Sequence, residues 1–412
     1  MTRSSILDPE VAADPHAFYR ELRADAPVLQ DARLGSFLVS TYRGVSSVYK
    51  DARFSTRAYT GTLEAIHGRT VLSMDGLLHA KNRALLTPHF RGQGLDRVHA
   101  LIHRTAGKIL EQIVPRRAQR LADEMRDSAD GSRVDLVAGF AHRYPIAVIA
   151  DMLGLPESDH ELFAGWYGKI MAFVSNLSGD EEVHRQGLQA RADLAGYMAP
   201  LIAYRREHPG DDLISMLVQS QVDDYRMTDD EVRAYISLLL TAGGETTDKA
   251  FGSLCKNLLV GGEWARVRDN RALVDAAIAE TLRFSPPSQI TTRMCEEDVE
   301  LEGVQVPAGS TMLLIAASAN RDESRFERSE EFVIGRPDLD PGRAFSGAAG
   351  HLSFGTGRHF CLGAMLAKTE MEVGLNLLLD SFPGMRLADD AEPVDVGLRT
   401  RGPRDLYVNL AA

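Results

Sequence analysis

The sequence predicts a mainly α-helical protein with a small β portion, and three observations carry that expectation. Apolar residues recur at three- and four-residue intervals over 15–25, 79–87, 98–126, 136–153, 157–174, 183–207, 229–260 and 270–284, the spacing of helices that bury one face. Strand-like runs are few and clustered, at 27–30, 36–40 and between 299 and 315. No repeat, low-complexity block or linker divides the 412 residues, so a single large domain over 1–412 is expected.

Taken in order, 27–30 and 36–40 read as an early hairpin. The helix at 229–260 opens on Thr228-Asp229-Asp230-Glu231, whose Thr and Glu three residues apart can cap each other's backbone N–H groups. Val299–Val306, followed by Pro307-Ala308-Gly309, suggests a second hairpin, and Thr311–Ile315 a buried strand after that turn. From Arg336 to Gly350 the composition shifts to Pro, Gly, Asp and Ala, an irregular segment. It leads to a helix-forming run from Ala364 to Leu379.

Composition excludes several classes. Hydrophobic residues make up 44% and charged residues 25% of the chain, enough to bury a large core. The net charge of −12 repels phosphates and anionic lipid headgroups, so no nucleic-acid and no membrane partner is expected. The N-terminus lacks an apolar signal run and no stretch nears ~18 apolar residues. Three cysteines (Cys255, Cys295, Cys361) do not form a disulfide framework, and a reducing, cytoplasmic location is expected. Cys255 and Cys295 read as packing residues.

The chemistry concentrates in Phe354-Gly355-Thr356-Gly357-Arg358-His359-Phe360-Cys361-Leu362-Gly363. Its three glycines let backbone approach a flat ligand and take up positive φ. Cys361 stands at a helix start, where free N–H groups and the positive end of the helix dipole favour a thiolate. That combination suggests a haem iron with a cysteine axial ligand. The loop alone is equally compatible with a Gly-rich turn ending in a buried small hydrophobe. The pattern Phe354, Gly355, Gly357, His359, Cys361 and Gly363 resembles the haem-binding signature of the cytochrome P450 family. The resemblance implies the cytochrome P450 fold, haem b and Cys361 as the iron ligand.

Three further constellations resemble the same family. Mid-helix Leu238-Leu239-Leu240-Thr241-Ala242-Gly243-Gly244-Glu245-Thr246-Thr247 carries two glycines, each costing about 1 kcal/mol against alanine. Threonine hydroxyls that bond an earlier carbonyl could open the helix around a small ligand; a simple kink with a solvated Glu245 is the bland alternative. The segment looks like the family's oxygen-activation motif. It implies that Ala242 and Gly243 border the haem and that Glu245 and Thr246 deliver protons. Glu280 and Arg283, at i, i+3, are a commonplace pair. They resemble the family's buried Glu–Arg pair, completed by Arg336, with a structural role. His79 and Arg83, at i, i+4, share one helix face and could clamp a carboxylate, or simply form a solvated basic face. The resemblance makes them, with Arg293 and His359, ligands of the haem propionates. Asp14-Pro15-His16-Ala17-Phe18-Tyr19 and Ala319-Asn320-Arg321-Asp322 extend the likeness over most of the chain. Glu323 departs from it where proline is common.

The resemblance implies a haem-thiolate monooxygenase that activates dioxygen and hydroxylates or epoxidises a lipophilic small molecule. Leu239, Ala242, Ile290 and Thr291, with segments 56–78 and 166–180 and the run Leu398-Arg399-Thr400, are expected to face the substrate. A terpenoid or polyketide intermediate of specialised metabolism is the expected class, ahead of a steroid or fatty acid. Without a flavin or iron–sulfur module in the chain, electrons are expected from a separate ferredoxin and ferredoxin reductase. Arg91, Arg97, Arg104 and Arg358 are candidates for their docking patch. Alternatives are a peroxide-driven peroxygenase, against which the acid–alcohol pair argues, and a non-catalytic haem sensor. A cysteine-nucleophile hydrolase would need a separate histidine base; His359 sits too near Cys361 in sequence to read as one.

Overall fold

The computed structural model describes residues 5–90, 133–176 and 179–410. The helical pattern at 98–126 and Arg91, Arg97 and Arg104 lie outside the described residues. Two compact units are present, one formed by Met1–Phe54, Ala106–Tyr144 and Thr246–Ala412, the other by Ser55–Thr105 and Pro145–Glu245, so far as these are described.

In the first unit, strands Val28–Gln30 and Phe37–Val39 pair antiparallel as the expected hairpin. Phe37–Val39 also pairs in parallel with Thr311–Ile315, which pairs antiparallel with Ile290–Cys295. Successive side chains leave opposite faces of a strand, and here both faces are covered. Phe37, Val39, Met312 and Leu314 join one core with Val45, Val48 and Tyr49, while Leu38 and Ile315 join another with Phe18, Tyr19 and Leu22. The apolar runs follow from that double burial. The second hairpin, Val299–Leu301 with Val304–Val306, turns through Glu302 (φ 51°) and Gly303 (φ 81°), the doubly positive turn that matches strand twist.

Several elements were not expected. Helix Tyr42–Lys50 contains Gly44, Ser46 and Ser47, poor helix formers, yet buries Val45, Val48 and Tyr49 and is capped by Thr41, whose hydroxyl accepts from the Gly44 N–H. A three-stranded sheet joins Arg386–Leu387, Tyr407–Asn409 and Arg133–Asp135. The pattern at 270–284 resolves into a short 3₁₀ turn, Arg271–Leu273, and helix Val274–Phe284.

Helix Val274–Phe284 carries the expected ion pair, and its surroundings explain it. Arg283 and Glu280 are both fully buried. Arg283 donates through Nε and Nη2 to Glu280 (2.8 and 2.7 Å), and to the carbonyls of Asn320 (3.0 Å), Ser329 (2.7 Å) and Glu331 (2.8 Å). Arg336 adds its Nε at 3.2 Å from Glu280, and the Val333 N–H donates to the same carboxylate.

In the second unit, helix His160–Val174 lies on helix Glu181–Glu207, with Phe163 and Trp166 edge-on to Tyr197. The latter helix is capped by Asp180, which accepts from Glu182 and Val183. The helix Asp229–Val260 begins with the expected capping box: the Thr228 N–H donates to Glu231 Oε2 (2.8 Å), the Glu231 N–H to Thr228 Oγ1 (3.2 Å). The expected opening of this helix does not occur. It runs unbroken through Gly243 and Gly244, although Thr241 does bond the Leu238 carbonyl. A Cβ at Gly243 would stand 2.6 Å from Ile149 and one at Gly244 3.1 Å from Tyr167. The glycines are therefore there at least in part to let neighbouring side chains close on the helix. No helix among the described residues is long and apolar enough to cross a membrane.

Two predictions follow from this burial. Arg283→Met leaves Glu280 without its main partner and lowers unfolding free energy by about 3–5 kcal/mol, measured by urea denaturation. Arg283→Lys recovers little of it, because an ammonium cannot fill five fixed donor positions. The second concerns pH. Burial pushes the imidazoles of His67 and His351 down from 6.5 to about 4 and about 3. Between those values and 6.5 the unfolded chain binds protons that the folded chain refuses, so stability rises with pH across that window and falls on acidification. In His67→Gln and His351→Gln the slope of stability against pH between 4 and 6.5 is shallower.

Candidate active site

The decapeptide around Cys361 is built by backbone constraint. Gly355 and Gly357 adopt φ of 65° and 73°, which side-chain-bearing residues rarely take. A Cβ at Gly357 would also stand 2.9 Å from the Tyr49 carbonyl oxygen. The Gly355 N–H donates to Leu352 O and the Cys361 N–H to Phe354 O, both at 2.9 Å, folding the segment back on itself. A 3₁₀ turn at Gly357–His359 follows, and helix Ala364–Ser381 starts just beyond the cysteine with Gly363 as N-cap. Cys361 is half-buried, in no disulfide, and at the positive end of that helix.

The loop is anchored to the buried ion network through Asn320. Its carbonyl accepts from Arg283, its side-chain oxygen accepts from the Leu352 N–H (2.7 Å), and its amide donates to Ser353 Oγ (2.9 Å). Ser353 in turn donates to Leu282 O at 2.6 Å. Arg358, expected as part of a docking patch, is half-buried and donates to the Phe54 carbonyl at 2.9 Å. That contact ties the cysteine loop to the backbone at Phe54.

Strand Ile290–Cys295 supplies Ile290, Thr291 and Arg293. The Tyr49 hydroxyl and Thr291 Oγ1 are 2.7 Å apart, and the Arg293 guanidinium lies 5.4 Å from the Tyr49 ring centre. The same ring lies 3.8 Å from where a Gly355 Cβ would be. Tyr49 thus brings Arg293 and the cysteine loop together within one unit. Arg293 is only 5% exposed, yet its one hydrogen bond among the described residues is from Nη1 to the Thr292 carbonyl at 2.8 Å. A buried guanidinium without an anion is costly, so the site suits an acidic group. The loop has space for one on a flat carrier: a Cβ at Gly363 would meet nothing within 4 Å. An open-sided glycine loop, a thiol at a helix start and a guanidinium lacking an anion fit a metalloporphyrin with carboxylate side chains.

The second unit carries His79, Arg83, Leu239, Ala242, Gly243 and Glu245. His79 is buried and Arg83 half-buried on one face of helix Gly76–Phe90. That helix is held by fully buried Asn82, whose side-chain oxygen accepts from the Tyr235 hydroxyl at 3.1 Å. Ala242 is exposed and Glu245 half-buried in the middle of a helix otherwise largely buried. Thr246 is half-buried, next in sequence and assigned to the first unit.

Two groups escaped the sequence reading. In the first unit, Glu370 on the cysteine helix is fully buried, and burial pushes its carboxyl well above the usual range, opposed by a hydrogen bond with the Thr247 side chain. In the second unit, buried His67 has Nδ1 2.9 Å from Ser237 Oγ and Nε2 3.4 Å from Thr241 Oγ1. A lone histidine 170 residues from its partner leaves no pattern to read.

The family model for cytochrome P450 matches residues 265–393. The chain is similar to pulcherriminic acid synthase of Bacillus subtilis, with 33% identity covering 98% of this chain and 97% of that protein. It is similar to nocardicin C N-oxygenase of Nocardia uniformis, with 36% identity covering 99% and 98%. Among solved structures, cytochrome P450 CYP109Q5 of Chondromyces apiculatus matches with a TM-score of 0.85 at 28% identity, covering 100% of this chain and 99% of that one. With such identity along almost its whole length, the protein belongs to the cytochrome P450 family of haem-dependent monooxygenases.

Proposed function

We propose that the protein is a haem b monooxygenase that inserts one oxygen atom of dioxygen into a lipophilic intermediate of specialised metabolism. The observation that carries the assignment of the site is the Cys361 loop, with Arg293 buried beside it and lacking an anion. Cys361 holds the iron through its sulfur, and Phe354, Gly355 and Gly363 flank the ring. Arg293, His359, His79 and Arg83 take its two propionates. Bound there, the haem supplies dioxygen activation, and the anionic sulfur favours O–O cleavage.

The chain's own residues do the rest. The start of helix Ala364–Ser381 turns its positive end toward the sulfur, an arrangement that suits a metal-binding thiolate. Glu245 holds a proton on its carboxyl oxygen and passes it to the Thr246 hydroxyl, the next residue on the same helix. Ala242 and Gly243, both small, would leave room for a haem beside the long helix. Leu239, Ala242, Ile290 and Thr291 offer apolar or small surface to the substrate, which favours a terpenoid or polyketide. One relative is named for oxygenation at nitrogen, so a heteroatom is a second acceptable target.

Electrons come from a separate ferredoxin and its reductase in the cytoplasm. The whole chain, 1–412, works as a single domain. Glu280, Arg283 and Arg336 serve it structurally, through Asn320 and the cysteine loop.

Cys361→Ala is expected to lose the thiolate-type spectrum of the ferrous carbonyl complex, and a wild-type-like spectrum refutes the ligand assignment. Thr246→Ala is expected to keep consuming reduced nucleotide while product per electron pair falls roughly tenfold or more. Unchanged coupling removes Thr246 from proton delivery.

A further inference from the structure

We propose that Ser237, His67 and Thr241 form a proton path that carries protons from a solvent-facing cavity to Glu245. All four residues belong to the second unit. The inference rests on Glu245 having the proton-delivering role proposed above, and extends it to where the protons enter.

Ser237, Thr241 and Glu245 are spaced i, i+4, i+8 on the helix Asp229–Val260, so they lie in line on one face, with neighbouring Cβ atoms about 5–6 Å apart. His67 bridges the first two, one ring nitrogen to each hydroxyl. It is brought there by helix Leu63–His67, which ends at Gly68 with φ of 86°. A Cβ at Gly68 would lie 3.2 Å from Ala234, so the chain turns close against the long helix one turn before Ser237.

The hydrogen bonds have a direction. Thr241 Oγ1 lies 3.0 Å from the Leu238 carbonyl and 3.3 Å from that of Ser237, so its proton is committed to a carbonyl. It therefore accepts from Nε2–H, and Nδ1, left without a proton, accepts from the Ser237 hydroxyl. Ser237 is also where the path meets solvent. A cavity of about 540 Å³ is lined by Ile66, His67, Arg69, Arg191, Met198 and Ser237, with Arg69 and Arg191 exposed at its rim.

In one passage, water in the cavity gives a proton to Ser237 Oγ, whose own proton moves to Nδ1. The Nε2 proton leaves to Thr241 Oγ1, and the Thr241 proton, freed by rotation from its carbonyl, goes to the Glu245 carboxylate. One O–H bond is broken in the donor and one formed at Glu245; nothing is oxidised or reduced. The ring ends as the Nδ1–H tautomer and resets by exchange with the cavity. Burial, aided by Arg191, holds the imidazole pKa at about 4, so His67 carries a full charge only in passing and does not trap the proton.

The test uses the holoenzyme and the variants His67→Gln, Ser237→Ala and Glu245→Gln. Glutamine keeps hydrogen bonds to the hydroxyls but cannot pass a proton through its side chain. His67→Gln is expected to retain the thiolate-type carbonyl spectrum, lose roughly tenfold in coupled turnover and show a larger solvent isotope effect. His67→Gln/Glu245→Gln is expected to be no worse than Glu245→Gln alone, because both interrupt one path. Ser237→Ala, which leaves the ring in place, reproduces the defect if His67→Gln does not fold. In ¹⁵N-histidine spectra of the diamagnetic ferrous carbonyl form, the expected signature is an Nε2–H tautomer of His67 whose Nδ1 resonance moves on Ser237→Ala. Normal turnover in His67→Gln and Ser237→Ala with an impaired Glu245→Gln sinks the path but leaves the reading of the site intact. Defects of His67→Gln and Glu245→Gln that multiply also sink it. An unimpaired Glu245→Gln removes the role of Glu245 itself, and the path with it.

Discussion

A guanidinium with no exposed surface must satisfy five N–H groups from the protein alone, and Arg283 does so. Two go to Glu280 and one each to the carbonyls of Asn320, Ser329 and Glu331. Each of those carbonyls belongs to an irregular stretch of chain with no helical or ladder partner of its own to offer. The ion pair is thereby a fastener for loops, not a bond between two side chains. Its charge balance is shared with Arg336, 3.2 Å from the same carboxylate. Because Asn320 also grips Leu352 and Ser353, the position of the loop that carries Cys361 is set from a fully buried and rigid origin.

That origin matters because the loop cannot hold its shape by packing alone. Gly355 and Gly357 have positive φ, and the segment closes on itself through only a few backbone bonds. Tyr49 does the rest, offering its carbonyl side to Gly357, its ring to Gly355 and Arg293, and its hydroxyl to Thr291. One residue of a helix made of poor helix formers thus fixes the cysteine relative to a buried cation. The helix exists because Val45, Val48 and Tyr49 have a core to enter, an example of burial overriding local propensity.

What was legible in the sequence were features whose cause is local. The capping box at Thr228 and Glu231, the hairpin Val299–Val306, the apolar run Thr311–Ile315 and the glycine spacing around Cys361 each act within a few residues. Helix Tyr42–Lys50 was not legible because the core it enters is completed by strands more than two hundred residues away in the chain. Strand Ile290–Cys295 was missed because Thr291, Thr292 and Arg293 interrupt any apolar alternation; Thr291 and Arg293, on one face of the strand, are polar because they meet Tyr49 rather than solvent. The pair Gly243-Gly244 was legible as special but for an incomplete reason. The expected opening was assigned to the neighbouring threonines and the small residues to room beside a ligand; Ile149 and Tyr167 also pack into the space that the glycines leave.

The same long helix shows how environment divides carboxyl chemistry. Glu231, at its exposed start, accepts from Thr228 and acts as a cap. Glu245, half-buried one turn past Thr241, is the carboxyl to which we assign proton delivery. Glu370, on another helix but bonded to Thr247, is so enclosed that burial favours its neutral form. The Thr247 hydroxyl donates to that carboxyl, which opposes the upward push of burial without reversing it.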